Sequence, residues 1–290
     1  MKIYLLDVPP RAQPPTERFR YPPHNRRFGI EQDFAAFLKE SPDLLTHNSH
    51  EADFHYLPIF WTRWLVHRDY GSWGTPELQA IAQDSILDDS KTFTICQYDD
   101  GPRVDLGKTV ICLASRKGSE GIDVPLLSTP HLRPLLPVRK RYLASFIGRL
   151  HTHPIRLDLA RHLRDVPRVL IRDRGTGSRQ FVRSTVASFV CLAPRGYGGS
   201  SFRFFEAMQL GVVPYLVGEL DTRPFKELID WAECSFYSQT PREIMGTLED
   251  LSDAELRAMG RRAQEVWQEE LARRNWCSRL IKVLETRVKR

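Results

Sequence analysis

Short runs of apolar and β-branched residues recur along the chain, separated by stretches in which apolar residues return with helical periodicity. Runs at 3–6, 54–57, 93–96 and 110–113 predict strands in the first half. Runs at 143–147, 169–171, 189–192 and 212–217 predict strands in the second. They are apolar throughout rather than alternating, which suits parallel strands covered on both faces. Helical patterns lie between them near 31–39, 76–85, 155–163, 202–210 and 243–251. Strands alternating with helices imply an α/β fold with right-handed crossovers.

The segment 125–141 carries Pro125, Pro130, Pro134 and Pro137, which exclude a long helix or a central strand there. It reads as a boundary, and places one α/β domain at 1–138 and a second at 139–290. Two such halves are expected to face a cleft, with ligands outside the carboxyl ends of the strands. The tail from Ser252 is helical, with Ser252 and Glu255 spaced as a capping box. Leu256, Met259, Ala263, Trp267 and Leu271 mark its apolar stripe, expected to pack on the body, with a break near Asn275.

Apolar residues make up 41% of the 290-residue chain and charged residues 27%, which excludes a disordered polymer and fits a globular enzyme. The formal net charge is +6, and its widest cluster is only Arg139-Lys140-Arg141. A small anionic ligand fits that pattern better than nucleic acid, which is not expected as a partner. The five cysteines form no CxxC and several lie in apolar runs, so reduced core cysteines are expected. No apolar run approaches the ~20 residues that span a bilayer, and the amino-terminal run is too short for a signal peptide. A cytoplasmic protein without a transmembrane segment is expected.

The segment richest in chemistry runs from Phe189 to Met208. A buried strand ends at Pro194, a loop with Gly196, Gly198 and Gly199 follows, and Ser200 or Ser201 then caps a helix. Backbone N–H groups at such a helix start bind phosphate, and glycine lets the ligand approach the backbone. Arg195 and Arg203 flank the loop with planar donor forks. Glu206, one turn further on, suits ribose hydroxyls; the alternative is a simple Arg203–Glu206 helix pair. The loop is neither a P-loop nor a GxGxxG.

From Ser188 to Trp231 the chain resembles the exostosin family of glycosyltransferases, which includes heparan sulfate polymerases and plant cell-wall enzymes. The resemblance rests on Pro194-Arg195-Gly196, on Ser201-Phe202-Arg203-Phe204-Phe205-Glu206-Ala207-Met208, on Gly211-Val212-Val213-Pro214, on Arg223-Pro224-Phe225 and on Ile229-Asp230-Trp231. Weaker likeness extends to Phe146-Ile147-Gly148-Arg149, to residues 52–58 and to Phe28-Gly29-Ile30-Glu31. The chain departs from the family at Asp89-Ser90-Lys91-Thr92, where a Gly-x-Asp-His is common.

The resemblance implies a GT-B architecture of two Rossmann-like domains. It also implies an inverting transfer from a nucleotide sugar, UDP-linked in the expectation, to a glycan hydroxyl, as in building a surface or capsular glycan. By the same likeness Arg149, Arg156, Ser200, Ser201 and Arg203 should face the donor phosphates and Glu206 the ribose. No cofactor is expected, the nucleotide sugar being a substrate. No Asp-x-Asp stands at a strand end, so no metal site is expected. An inverting transfer needs a base for the acceptor hydroxyl. Asp100, after the strand at 93–96, and Glu31 are the candidates; His24 and His55 are further possibilities. Asp100 also fits a plain Asp-Gly turn and Glu31 a helix-start carboxylate. Two other readings stay open: a non-catalytic nucleotide-sugar or glycan binder, and a nucleic-acid binder motivated only by the charge.

Overall fold

The computed structural model describes residues 1–15, 29–127, 130–173, 177–272 and 274–288. His24 and Phe28 lie outside the described residues. The chain forms two compact units, one of Met1–Leu127 with Arg273–Arg290 and one of Ser128–Ala272.

The first unit holds strands β1 (Ile3–Leu5), β2 (Leu45–Thr46), β3 (Phe54–Tyr56), β4 (Thr92–Cys96), β5 (Val110–Leu113) and β6 (Ile122–Asp123). Its helices in this stretch are α1 (Ile30–Lys39), α2 (Trp61–His67) and α3 (Thr75–Ser85). The six strands run parallel in the order β2-β1-β3-β4-β5-β6. The second unit holds β7 (Tyr142–Gly148), α4 (Pro154–Leu163), β8 (Val169–Asp173), α5 (Ser178–Val186), β9 (Ser188–Pro194), α6 (Phe202–Gln209), β10 (Val213–Val217), β11 (Phe236–Ser238), α7 (Glu243–Leu248) and α8 (Asp253–Val266). Its five strands are parallel in the order β11-β10-β9-β7-β8. Each predicted strand and helix is present, shifted at its ends by one to three residues. The apolar runs are central strands except β8, which lies at a sheet edge, and β9 and β10 are buried at every position.

Residues 125–141 form neither helix nor strand where described, as their prolines require. The domain division differs from the expected one. It falls after Leu127 rather than 138, and the chain leaves the second unit at Ala272. The last helix, α9 (Asn275–Val288), belongs to the first unit. Trp276 is the reason. It is fully buried, with its ring 5.9 Å from Phe34 of α1, whose own ring lies 5.1 Å from Tyr56 and 5.8 Å from Phe93. Arg274 pairs with Glu40 at the other end of α1. The turn before α9 begins with five residues of π-helix, Trp267–Leu271, which end α8.

Helix α8 starts as its sequence dictates: Ser252 accepts from Glu255 N at 3.2 Å, and Ser252 N donates to Glu255 Oε2 at 2.8 Å. It then crosses the turn after α6 closely. A Cβ on Gly260 would stand 2.7 Å from the Gly211 carbonyl oxygen, so only glycine permits this approach. All five cysteines are free and buried, as expected of core thiols. Among the described residues, no helix is long and apolar enough to cross a membrane.

Replacing Trp276 by Ala should cost the first unit about 3 kcal/mol, in the range for emptying a buried aromatic site. Hydrogen exchange on the full chain should show the loss in β1, β3 and β4, with the amides of β9 and β10 unchanged.

Candidate functional site

In the second unit the strand order changes direction between β7 and β9, so the loops leaving these two strands part and open a crevice at their carboxyl ends. Arg156, in the first turn of α4, ties the two loops together. Its Nε donates to the Arg195 carbonyl at 2.8 Å, Nη2 to Pro194 O at 3.1 Å and Nη1 to Arg149 O at 3.1 Å. A Cβ on Gly196 would stand 3.2 Å from Arg156 Nη2, so glycine lets the guanidinium lie against the loop. Arg195 folds the loop from its other side. It reaches Glu219 at 2.7 Å, Gly198 O at 3.1 Å and Tyr197 O at 3.3 Å. Two of the arginines expected on phosphate are therefore builders of the loop, because its turning backbone leaves carbonyls that need donors. Arg149 is exposed, and its carbonyl also accepts from Thr152.

Ser201 occupies the cap position of α6 in extended backbone, yet its side chain makes no cap bond. Its hydroxyl is buried and has no hydrogen-bond partner, in a residue only 3% exposed. Leaving such a group unsatisfied costs on the order of 1–3 kcal/mol, so each case calls for an explanation. The hydroxyl sits at the positive end of the helix dipole. Ser200 beside it is buried too. Arg203, in the first turn, donates from Nε to Ile147 O at 2.9 Å, and its guanidinium lies 4.4 Å from the Phe181 ring centroid. Burial first, and then the neighbouring Arg203 charge, lower Arg156 to about 10. Cationic groups thus crowd the mouth of the crevice.

Glu206 is enclosed by partners from its own unit. It is 1% exposed, and both oxygens are taken. His131 Nε2 lies 2.9 Å from Oε1, and Arg203 Nη1 donates to Oε2. Burial opposes its ionisation, but Arg203 and His131 outweigh burial and hold the carboxyl at about 2. A buried carboxylate needs such cations within reach, and Glu206 has them on both oxygens. His131 was not anticipated. It lies in the proline-rich segment, its N–H donates to Gln209 Oε1 at 3.1 Å, and its ring stacks 5.2 Å from Phe181. No local pattern links residues 75 apart.

The two expected bases lie in the first unit and in unlike settings. Glu31 is 1% exposed at the start of α1. Its Oε1 accepts from Thr62 Oγ1 at 2.6 Å, Thr62 N at 3.1 Å and Gln97 N at 3.0 Å. Burial raises it to about 7 against the pull of these donors and of Arg63. It ties α1 to the start of α2 and the end of β4. Asp100 lies on a turn closed by Gly101 N to Tyr98 O at 3.0 Å, is half exposed, and pairs with Lys117. His55 is buried, with Nε2 3.0 Å from Ser49 O.

Residues 104–243 match the Exostosin GT47 domain model. Exostosin-like 1 of Homo sapiens is 26% identical over 98 residues, 33% of this chain and 14% of that protein. Exostosin-1 of Drosophila melanogaster is 28% identical over 125 residues, 35% of this chain and 16% of that protein. The chain therefore spans a small part of the length of these relatives. The crystal structure of TarM aligns with 72% of this chain and 58% of that chain at 8% identity, with a TM-score of 0.41. The match holds the whole of the Gly-rich loop and α6, and leaves out the likenesses at 28–31 and 52–58.

Glu206→Gln should destabilise the protein at neutral pH by on the order of 3 kcal/mol, since it leaves Arg203 without its partner. Because the folded carboxyl is held low, its contribution is present in full above about pH 4.5 and drains away as the pH falls toward about 2. Melting temperatures of the two proteins should converge over that window. Glu31 has the opposite sign: raised to about 7, it weakens the fold as the pH climbs from about 4.5 through 7. Glu31→Gln should flatten the melting temperature across that interval.

Proposed function

We propose that the chain, whose residues 104–243 match the Exostosin GT47 domain model, transfers a sugar from a nucleoside-diphosphate donor, a UDP-sugar, to the hydroxyl of a glycan. The observation that carries this reading is the unpartnered Ser201 hydroxyl, buried at the positive end of α6. A diphosphate oxygen placed there accepts from Ser201 and meets the helix dipole. Glycines 196, 198 and 199 keep the loop backbone close to the ligand. Arg156 and Arg195 hold that loop in shape. Arg203, steered by Glu206 and Phe181, keeps part of its side chain open, and Arg149 stands exposed at the end of β7.

Displacement of the diphosphate creates negative charge on the leaving oxygen, and donors already in position need no reorganisation to stabilise it. Helix α6 and the arginines perform this without a metal ion in the reading offered here, and the transfer inverts the anomeric carbon. The acceptor hydroxyl loses its proton to a carboxylate. Asp100 is the better choice, since it is half exposed whereas Glu31 is enclosed by its donors. Glu31 then acts by holding α1, α2 and the end of β4 in register.

Calorimetric titration with UDP and GDP tests the donor half; absence of heat with both ends the reading. Ser201→Ala should weaken UDP binding about tenfold, equivalent to ~1.4 kcal/mol, while leaving the melting temperature equal or higher, because the hydroxyl has no partner to lose. A fall in stability without loss of affinity would give Ser201 a purely structural role. Release of UDP from a panel of UDP-sugars with glycan acceptors should persist in EDTA and drop at least a hundredfold in Asp100→Asn. UDP binding without any turnover would leave a non-catalytic nucleotide-sugar binder.

A further inference from the structure

Between α2 and α3 the backbone adopts conformations that side chains rarely take. Asp69 and Tyr70 have φ of 48° and 57°, and Gly71 and Gly74 have 77° and 78°. Arg103, which bonds to this loop, has φ of 59°. Left-handed backbone at bulky residues persists only where the surroundings enforce it. The enforcing bonds are present. Arg103 Nη1 donates to Tyr70 O at 2.6 Å, Tyr98 OH donates to the same oxygen at 3.3 Å, and Gly71 N donates to Leu65 O at 3.0 Å. The Arg68 guanidinium lies 3.4 Å from the Trp64 ring centroid and 5.0 Å from that of Trp73.

What this construction holds in place is exposed. Trp73 is 59% accessible and Tyr70 48%. An indole braced by a guanidinium yet left in water is an apolar surface the fold has not used. The groups bordering the loop are polar. Asp69 belongs to it, and the Tyr98 hydroxyl leads directly into the turn that carries Asp100. Burial and then the charges of Asp100 and Asp99 push the Tyr98 phenol upward, so these carboxylates stand close to it.

We propose that Trp73 and Tyr70 form a stacking platform for a pyranose ring of a neutral glycan, with Asp69 and the Asp99-Asp100 turn accepting hydrogen bonds from its hydroxyls. The chemistry of the surface selects this ligand. A pyranose presents C–H groups on its face, which suit an electron-rich aromatic ring. Its rim presents hydroxyl donors, which suit carboxylates. Arg68 and Arg103 against the loop and Lys117 on Asp100 offset these carboxylates, so the surface as a whole suits an uncharged ligand. The inference rests on the glycosyl-transfer reading for its role, as the subsite that seats the acceptor near Asp100, but the binding it asserts is measurable alone.

The test uses the full chain and the indole N–H resonance that disappears in Trp73→Phe. Cellohexaose, xylohexaose, maltohexaose, chitohexaose and hexagalacturonate are titrated without any nucleotide. At least one neutral hexaose should shift that resonance, Trp73→Ala should weaken its binding at least tenfold, and Trp73→Phe should restore most of the loss. In turnover with that acceptor, Trp73→Ala should raise the acceptor KM more than it lowers kcat. The proposal fails if no neutral hexaose moves the resonance, if Trp73→Ala binds within twofold of the parent, or if hexagalacturonate binds best. UDP affinity separates the two readings: UDP binding without a sugar response removes only the platform. A sugar response without UDP binding removes the transfer reading and leaves a glycan-binding surface.

Discussion

A carboxylate removed from water must be neutralised by its neighbours, and in the second unit that requirement is met at Glu206. One oxygen takes the His131 imidazole and the other takes Arg203. The consequences spread from there. Arg203 is held against Phe181 of α5 and donates to the end of β7, so the first turn of α6 cannot swing away from the crevice. His131 anchors the chain entering the unit through Gln209 at the end of α6. One buried charge thereby orients the strand ends, two helices and the entering segment, and the open Ser201 hydroxyl inherits its position from them.

The first unit shows the same strand logic with a different chemical solution. Both sheets reverse direction beside their first strand, and each has a glutamate buried to 1% exposure near its strand ends. Glu206 is surrounded by full charges and stays ionised, held at about 2. Glu31 is surrounded chiefly by the neutral donors of Thr62 and Gln97, and burial lifts it to about 7. Dipoles compensate desolvation less completely than ions do. One carboxylate is a permanent anion that fixes cations; the other is a titrating brace between helices.

Much of the fold was legible because its strands are buried on both faces. A continuous apolar run such as Phe189–Leu192 has few other destinations, and the Ser252–Glu255 cap announces its helix locally. Helix α5 was missed because it buries only Phe181, Val182 and Thr185 among arginines, and β11 because three residues, Phe236–Ser238, are too few to carry a period. The strand, loop and helix of the Gly-rich segment were legible in order, whereas the partners of its side chains were not. Whether an arginine meets phosphate or a carbonyl is decided by backbone that turns toward it, and Arg156 and Arg195 spend their donors on such carbonyls. His131 and Trp276 act across separations that no spacing rule covers; the same is true of the domain border they help to set.

The placement of α9 bears on the order in which the protein is made. Synthesis delivers the first 127 residues early, but Phe34 then waits for an indole that follows the whole of the second unit in the chain. The second unit, contiguous in sequence from Ser128 to Ala272, has all its strands available before that moment. The first unit therefore keeps its aromatic core open on one side until the second unit has been made, and it closes over a helix that the second unit separates from it in sequence.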